Sequence, residues 1–426
     1  MAEIKPFAAL RFTGKAGRAE EITCPPYDII SEEERRGYLA RNPHNVIRLE
    51  LPRAEGEGAD PYAEAGRVLQ EWLAEGILAR DQKPALYIYE EAFTAGGRSY
   101  AVRGFICRVR LEEFSKGVVL PHEETLSKAK ADRFNLMCAT GCNFSQIYSL
   151  YMDEGGQTRR AVEALSSGQP AQCFTDGAGV THRLWIAEDG PAVEEICRQF
   201  AGRKLYIADG HHRYETALRY RDHLREAGGP AGDSDYVMMM LVDMENPGLV
   251  VFPTHRIVRD LPAFDGAALL RDCEAYFDVM EQDSLSTMDA ALETAYAAGQ
   301  KAFGFYDGGS GWHLLRLRDP AVMAGFLPKG SKALRELDVS VLHSLVLERL
   351  LHIDKENMAN QVNLTYTRDK AEALEAVREG ADCCFILNPT RVEEISAVAA
   401  AGEKMPQKST YFYPKLITGL VMNQIL

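Results

Sequence analysis

The stretch "LYIADGHHRYETAL", residues 205–218, decides how this chain is read. Four apolar or aromatic residues lead into Asp209, and Gly210 follows. His211, His212 and Arg213 then open a segment with helical spacing. A strand that breaks at glycine and restarts as a helix leaves the first helical amides without intrahelical acceptors. Those amides and the helix dipole favour an anion, and the forked cation of Arg213 suits phosphate oxygens. Adjacent helical side chains diverge by roughly 100 degrees, so one of His211 and His212 can face the ligand while the other orients it or packs. Asp209, at the strand end, could bind Mg²⁺, accept a hydroxyl proton, or cap the helix through the amides of His211 or His212. Capping is the plainer account of Asp209 and Gly210, but it leaves the two imidazoles and the guanidinium unexplained. A phosphate or nucleotide site accounts for all five. Zinc fits less well, because adjacent histidines rarely share one metal and no third ligand stands at helical spacing.

Outward from this stretch, the pattern predicts α+β architecture, with mixed sheets, hairpins and flanking helices. "CPPYDIISEEERRGYLARNP" reads as a loop and a helix, with Ser31 and Glu34 as a capping box. "HNVIRLEL" reads as a strand, and Asp60-Pro61 as a helix start. Gly96-Gly97 joins two strands as a hairpin, and the glycine-rich "YDGGSG" joins two more. It lacks the Lys-Ser/Thr of a phosphate loop. "DVSVLHSLVLERLLHI" reads as an amphipathic helix capped by Asp338. The polar break "RDLPAFDG" suggests a catalytic body over 1–260 and a C-terminal α/β region over 261–426 packed onto the same cleft.

The bulk properties narrow the function classes. The chain has 426 residues and a formal charge of −14, which argues against broad binding to nucleic acid or anionic membranes. No run approaches the ~20 apolar residues that span a bilayer. The N-terminus lacks a signal-peptide pattern, so a cytoplasmic location is expected. Nine cysteines form no CxxC pair; free, mostly buried thiols are expected.

A second cluster is "PHEETLSKAKADR". His122, Glu123, Glu124, Lys128, Lys130 and Arg133 could clamp a phosphorylated substrate, with Glu123 or Glu124 as base. The same charges also describe an ordinary solvated helix start. Tyr27, Asp28, Asn45, Arg48, His255 and Arg256 are each unremarkable alone. Their shared polarity among apolar neighbours suggests a common cleft. "KSTYFYPKL", with Lys408, Ser409, Thr410, Tyr413 and Lys415, could complete an anion pocket, although an edge strand explains it more simply.

"ADGHHR" between a strand and a helix resembles the motif of the ParB/sulfiredoxin-like superfamily, and most closely its ADP-dependent free-serine kinases. The resemblance implies that Gly210, His211, His212 and Arg213 contact nucleotide phosphates and that Asp209 serves the reacting hydroxyl or a metal. Sulfiredoxin chemistry needs a cysteine where this chain has histidine. "CPPYDIIS", "NPHNVIRLELP", "PHEETLSKAKADR", "YIADGHHRYETAL", "FPTHRIV" and "KSTYFYPKLITGL" together resemble, nearly end to end, a bacterial family of unknown function often encoded beside serine-biosynthesis genes. What this implies is a phosphotransfer enzyme, a kinase or phosphatase of serine or phosphoserine, using Mg²⁺ and ADP or ATP. The expected partner is a small phosphorylated metabolite or nucleotide, and the chain could oligomerise. The alternative is a non-catalytic nucleotide-binding regulator of the ParB kind, binding CTP or ATP.

Overall fold

The computed structural model describes residues 1–54, 56, 58–123, 127–229 and 231–425, with backbone only over 127–129. Local signals set many of its elements. Ser31 accepts from the amide of Glu34, whose carboxylate takes the Ser31 amide, so the helix Glu32–Arg41 starts on a complete capping box. Asp60 accepts from the amide of Tyr62 at the start of Pro61–Ala74. Gly96 and Gly97 turn the long strands Ala85–Ala95 and Arg98–Arg110 into a hairpin.

The chain divides into two compact units. The first comprises residues 1–121, 125–250 and 414–426. Its nine-stranded sheet is mixed. Leu205–Asp209 runs parallel to Val119–Leu120 and antiparallel to Ile147–Tyr151. Ile147–Tyr151 in turn runs parallel to Tyr236–Asp243. Beyond lie the hairpin, Thr181–Glu188 and Gln172–Thr175, all antiparallel. Leu86, Ile88, Phe105, Ile147, Ile207, Met239 and Leu241 pack on one face against helix residues such as Ile196, Phe200 and Tyr214. The intervening residues, Tyr87, Tyr89 and Glu91 among them, point to the other face. A second core gathers Leu10, Val46, Ile47, Leu49, Leu69, Trp72 and Met422.

The second unit comprises residues 122–124 and 251–413. Its six-stranded sheet is antiparallel throughout, in the order Phe277–Gln282, Trp312–Leu317, Ala302–Tyr306, Cys383–Leu387, His255–Val258, Leu364–Thr367. The molecule is thus a mixed α/β protein with several sheets. Among the described residues no helix is long and apolar enough to cross a membrane. All nine cysteines are free, and six are buried.

Two expectations about elements fail. "HNVIRLEL" holds a short helix, Ile47–Glu50, in place of a strand. Asn45 fixes it. The Asn45 amide donates to the carbonyls of Glu21 and Thr23, and its Oδ1 accepts from the amide of Ile47. Burial of Ile47, Leu49 and Glu50 then outweighs the β-branched composition. The helix at 338 is not amphipathic. Asp338–Val341 continues as a π-helix over Leu342–Glu348, and every residue from Val339 to Leu347 is buried. Asp338 does not cap it: the N-cap is Leu337, and the Asp338 carboxyl is buried and pushed up to about 7, chiefly by that burial.

Candidate functional site

The strand Leu205–Asp209 ends with a register shift against its neighbour at Ile207/Asp209. Gly210 follows with φ 95° and ψ 27°, a left-handed conformation that favours glycine. A Cβ there would also lie 2.9 Å from Nε of Arg213, so the guanidinium would have to shift. The helix His211–Glu226 then begins, and the amide of Tyr214 donates to the Gly210 carbonyl at 3.0 Å. The amides of His211, His212 and Arg213 therefore precede the first intrahelical donor.

The N-cap of this helix is Gly210, which has no side chain to cap it. The two Asp209 oxygens each take a cation. Oδ2 accepts from Nη2 of Arg213 at 2.6 Å, and Oδ1 accepts from Nζ of Lys415. Arg213 folds back over Gly210 and also donates to the carbonyl of Gln146. The three side chains are 19%, 12% and 11% exposed for Asp209, Arg213 and Lys415, so solvent screens them little. Burial alone would push the Asp209 carboxyl up; Lys415 and Arg213 overturn that and hold it well below the usual carboxylate range.

Lys415 reaches this point because the tail is stitched into the first unit. Cys24 and Thr418 exchange backbone hydrogen bonds, as do Leu10 and Met422. The side-chain amide of Gln146 donates to the Ile417 carbonyl at 3.1 Å.

A second carboxyl, Glu50, lies close by. It is 2% exposed, accepts from the Ser145 hydroxyl at 2.8 Å, and sits 3.5 Å from Nη1 of Arg133. Burial raises its pKa, against the opposing pull of Arg133 and Ser145. The Arg133 guanidinium lies 4.0 Å from the centre of the Tyr27 ring and donates to the Glu50 carbonyl at 2.7 Å and to Asp132. Burial likewise drives the Tyr27 hydroxyl up. Glu50, Arg133, Ser145 and Arg213 share the lining of a cavity of about 30 Å³, room for about one water.

The structure thus joins Asp209, Gly210, Arg213, Lys415, Arg133 and Tyr27, with His211 buried and His212 half-buried beside them. Other expected residues are engaged elsewhere. Lys130 pairs with Glu215 at 2.7 Å. Asn45 braces the turn described above. Arg48 donates to the Pro43 carbonyl at 3.2 Å, and Asp28 is exposed. Of the run 122–133, His122 and Glu123 belong to the second unit, where both meet the Thr410 hydroxyl, at 3.0 and 3.3 Å. Glu124 and the side chain of Lys128 lie outside the described residues.

His255 and Arg256 also belong to the second unit. Burial, with Lys370 and Arg256 nearby, pushes His255 down to about 3. Burial lowers Arg256 to about 10, and its guanidinium is tied to the carbonyls of Thr254, Gln407 and Lys408.

Asp209 fits Mg²⁺ poorly. Both oxygens already hold cations, and among the described residues no three His, Cys, Asp or Glu side chains gather as a metal site. Sequence reading missed Glu50, Ser145 and Gln146. The one available signal was an acid inside the apolar run "IRLEL".

Comparison with known proteins places the chain. The family model described as "Protein of unknown function (DUF1015)" matches residues 4–340, and the chain belongs to that family. No curated protein matches. Among solved structures, a conserved hypothetical protein from Pyrococcus furiosus is 14% identical, with 74% of this chain and 94% of that chain covered and a TM-score of 0.36. A free serine kinase mutant in complex with ADP is 14% identical, covers 74% and 90%, and has a TM-score of 0.37. SbnI with C-terminal truncation from Staphylococcus aureus is 10% identical, covers 74% and 86%, and has a TM-score of 0.36. Similarity at that level leaves the site's chemistry to be argued from its own residues.

Proposed function

We propose that this member of a family of unknown function is a phosphotransfer enzyme acting on a small hydroxy-amino acid or its phosphate, with serine or phosphoserine first. One observation carries the reading: Lys415 and Arg213 converge on Asp209 at a helix start whose first amides have no intrahelical acceptor. Two cations and a row of amides suit phosphate oxygens. The resemblance of "ADGHHR" to the ParB/sulfiredoxin-like superfamily implies the same occupant, the phosphates of ADP or ATP, at Gly210 to Arg213.

Asp209 holds the two cations in place until phosphate competes for them. A carboxyl held so far below the neutral range is a weak proton acceptor. Glu50 has the better environment for proton transfer: buried, raised in pKa, and lining one cavity with Arg213 and Arg133. In the kinase direction Glu50 takes the proton of the serine hydroxyl through the one water its cavity can hold, as the serine oxygen attacks the terminal phosphorus and the nucleotide leaves one phosphate shorter. In the hydrolytic direction the helix start at Gly210 to Arg213 holds phosphoserine, and the attacking oxygen is that of the one water for which the cavity beside Glu50 has room.

The engagement of both Asp209 oxygens favours one alternative, a nucleotide-binding regulator without turnover. Incubating serine with ADP or ATP and Mg²⁺, and phosphoserine alone with Mg²⁺, separates the readings. Phosphoserine formed in step with AMP or ADP supports the kinase, and phosphate released without nucleotide supports hydrolysis. Nucleotide binding with no turnover supports the regulator. Absence of both binding and turnover sinks the phosphate site.

A further inference from the structure

The second unit contains a cavity of about 110 Å³ that plays no part in the chemistry above. Leu327, Leu334, Met358 and Met405 give it apolar walls. Its polar side comes from the segment where the helix widens. The π-helix Leu342–Glu348 contributes His343, Ser344 and Glu348 to the lining. Such segments are rare and recur at functional sites.

Two hydroxyls in this lining are buried with no hydrogen-bond partner, Ser340 Oγ and Tyr366 OH. Ser340 is 1% exposed. A buried polar group left unsatisfied costs about 1–3 kcal/mol, so two in one small cavity point to a ligand that pairs with them. His343 adds a third polar group. Its Nε2 accepts from Nε of Arg256 at 3.3 Å, which leaves the ring proton on Nδ1. Burial and then the nearby Arg256 hold its pKa well below the usual value, so the ring is neutral.

The charged groups narrow the ligand further. Glu348, Lys355 and Lys404 all line the cavity. Opposite charges around an apolar pocket suit a zwitterion. Lys355 already pulls on Glu348, and a ligand that carries both signs of charge has a counterpart for each of them. Nucleotides are too large, since the cavity has room for on the order of ten non-hydrogen atoms. No arginine stands in the lining among the described residues.

We propose that this cavity binds a small α-amino acid with a short aliphatic side chain, of the size of valine or leucine. Its carboxylate lies toward Lys355 and Lys404 and its ammonium toward Glu348. Its side chain lies among Leu327, Leu334, Met358 and Met405, and the Ser340 and Tyr366 hydroxyls complete its hydrogen bonds. This site is separate in residues from the Asp209 cluster, and it stands whether or not that cluster handles phosphate.

Calorimetric titration of the full chain tests it, with L-valine, L-leucine, isovalerate and isobutylamine as probes. L-valine or L-leucine binds the wild type, and the two analogues that lack one charged group bind at least about tenfold more weakly. Tyr366→Phe and Glu348→Gln each weaken the amino acid by about tenfold. Three results overturn the proposal: no binding of either amino acid in the millimolar range, isovalerate binding as tightly as valine, or undiminished binding in both folded variants.

Discussion

Lys415 and Asp209 stand 206 positions apart in the chain and form an ion pair at the start of the helix His211–Glu226. The pair places a cation from the C-terminal tail beside Arg213, which the same carboxylate holds. Asp209 is therefore the organiser of two cations. Asp209→Asn leaves Lys415 and Arg213 without their counter-charge in a largely buried place. The expected loss is about 3 kcal/mol in the first unit's unfolding transition, measured by denaturant titration. The Asp209 contribution is present above the ordinary carboxylate pKa and is lost as pH falls toward its depressed folded value. The variant thus narrows its gap from wild type in acid.

Gly210→Ala forces a side chain into a left-handed turn and against Arg213. The expected cost is about 1–2 kcal/mol for the turn alone. Because the new methyl displaces the guanidinium, phosphate binding falls as well. A stable variant with unchanged phosphate affinity would show that Arg213 does not need its place over Gly210.

Glu50→Gln keeps the size of the side chain and its acceptor for the Ser145 hydroxyl. If Glu50 transfers the proton, turnover falls by about 100-fold or more, with little change in nucleotide or phosphoserine affinity. A structural role alone would lower stability and leave the turnover of the folded fraction intact.

Glu91 gives a pH test independent of the site. Burial raises its carboxyl to about 8, against the Tyr89 hydroxyl that donates to it at 2.9 Å and with Asp176 adding to the rise. His182 faces it at 3.8 Å. Between its ordinary 4.5 and about 8, the folded state keeps a proton that the unfolded chain releases. Stability from this group therefore falls as pH rises through that window, by up to about 1.4 kcal/mol per pH unit. Glu91→Gln flattens the slope, and unfolding curves from pH 5 to about 8 read it directly. An unchanged slope would assign the pH dependence to other groups.

What the sequence disclosed was mostly local. Gly210 between an apolar run and a helical one, the Ser31–Glu34 box, Asp60-Pro61 and Gly96-Gly97 each specify their own turn or cap, and each is where the pattern put it. The failures were non-local. "NVIRLEL" has strand composition, but tertiary burial and the Asn45 brace make a helix of it. Lys415 looked like part of an edge strand, because nothing near it in sequence names Asp209. The partners of Lys130 and Arg133, Glu215 and Glu50, come from distant segments, so the run "SKAKADR" could not name them. Glu50 itself was passed over inside an apolar run, where burial gives an acid its unusual proton affinity.

The most direct test of the phosphate site is calorimetric titration of phosphoserine, and separately of ADP, into wild-type protein, Arg213→Ala and Lys415→Ala. The account predicts binding of at least one ligand to the wild type, weakened by about tenfold or more in each variant as a charge-assisted contact is lost. Equal affinity in all three proteins, or no binding to the wild type, would contradict it.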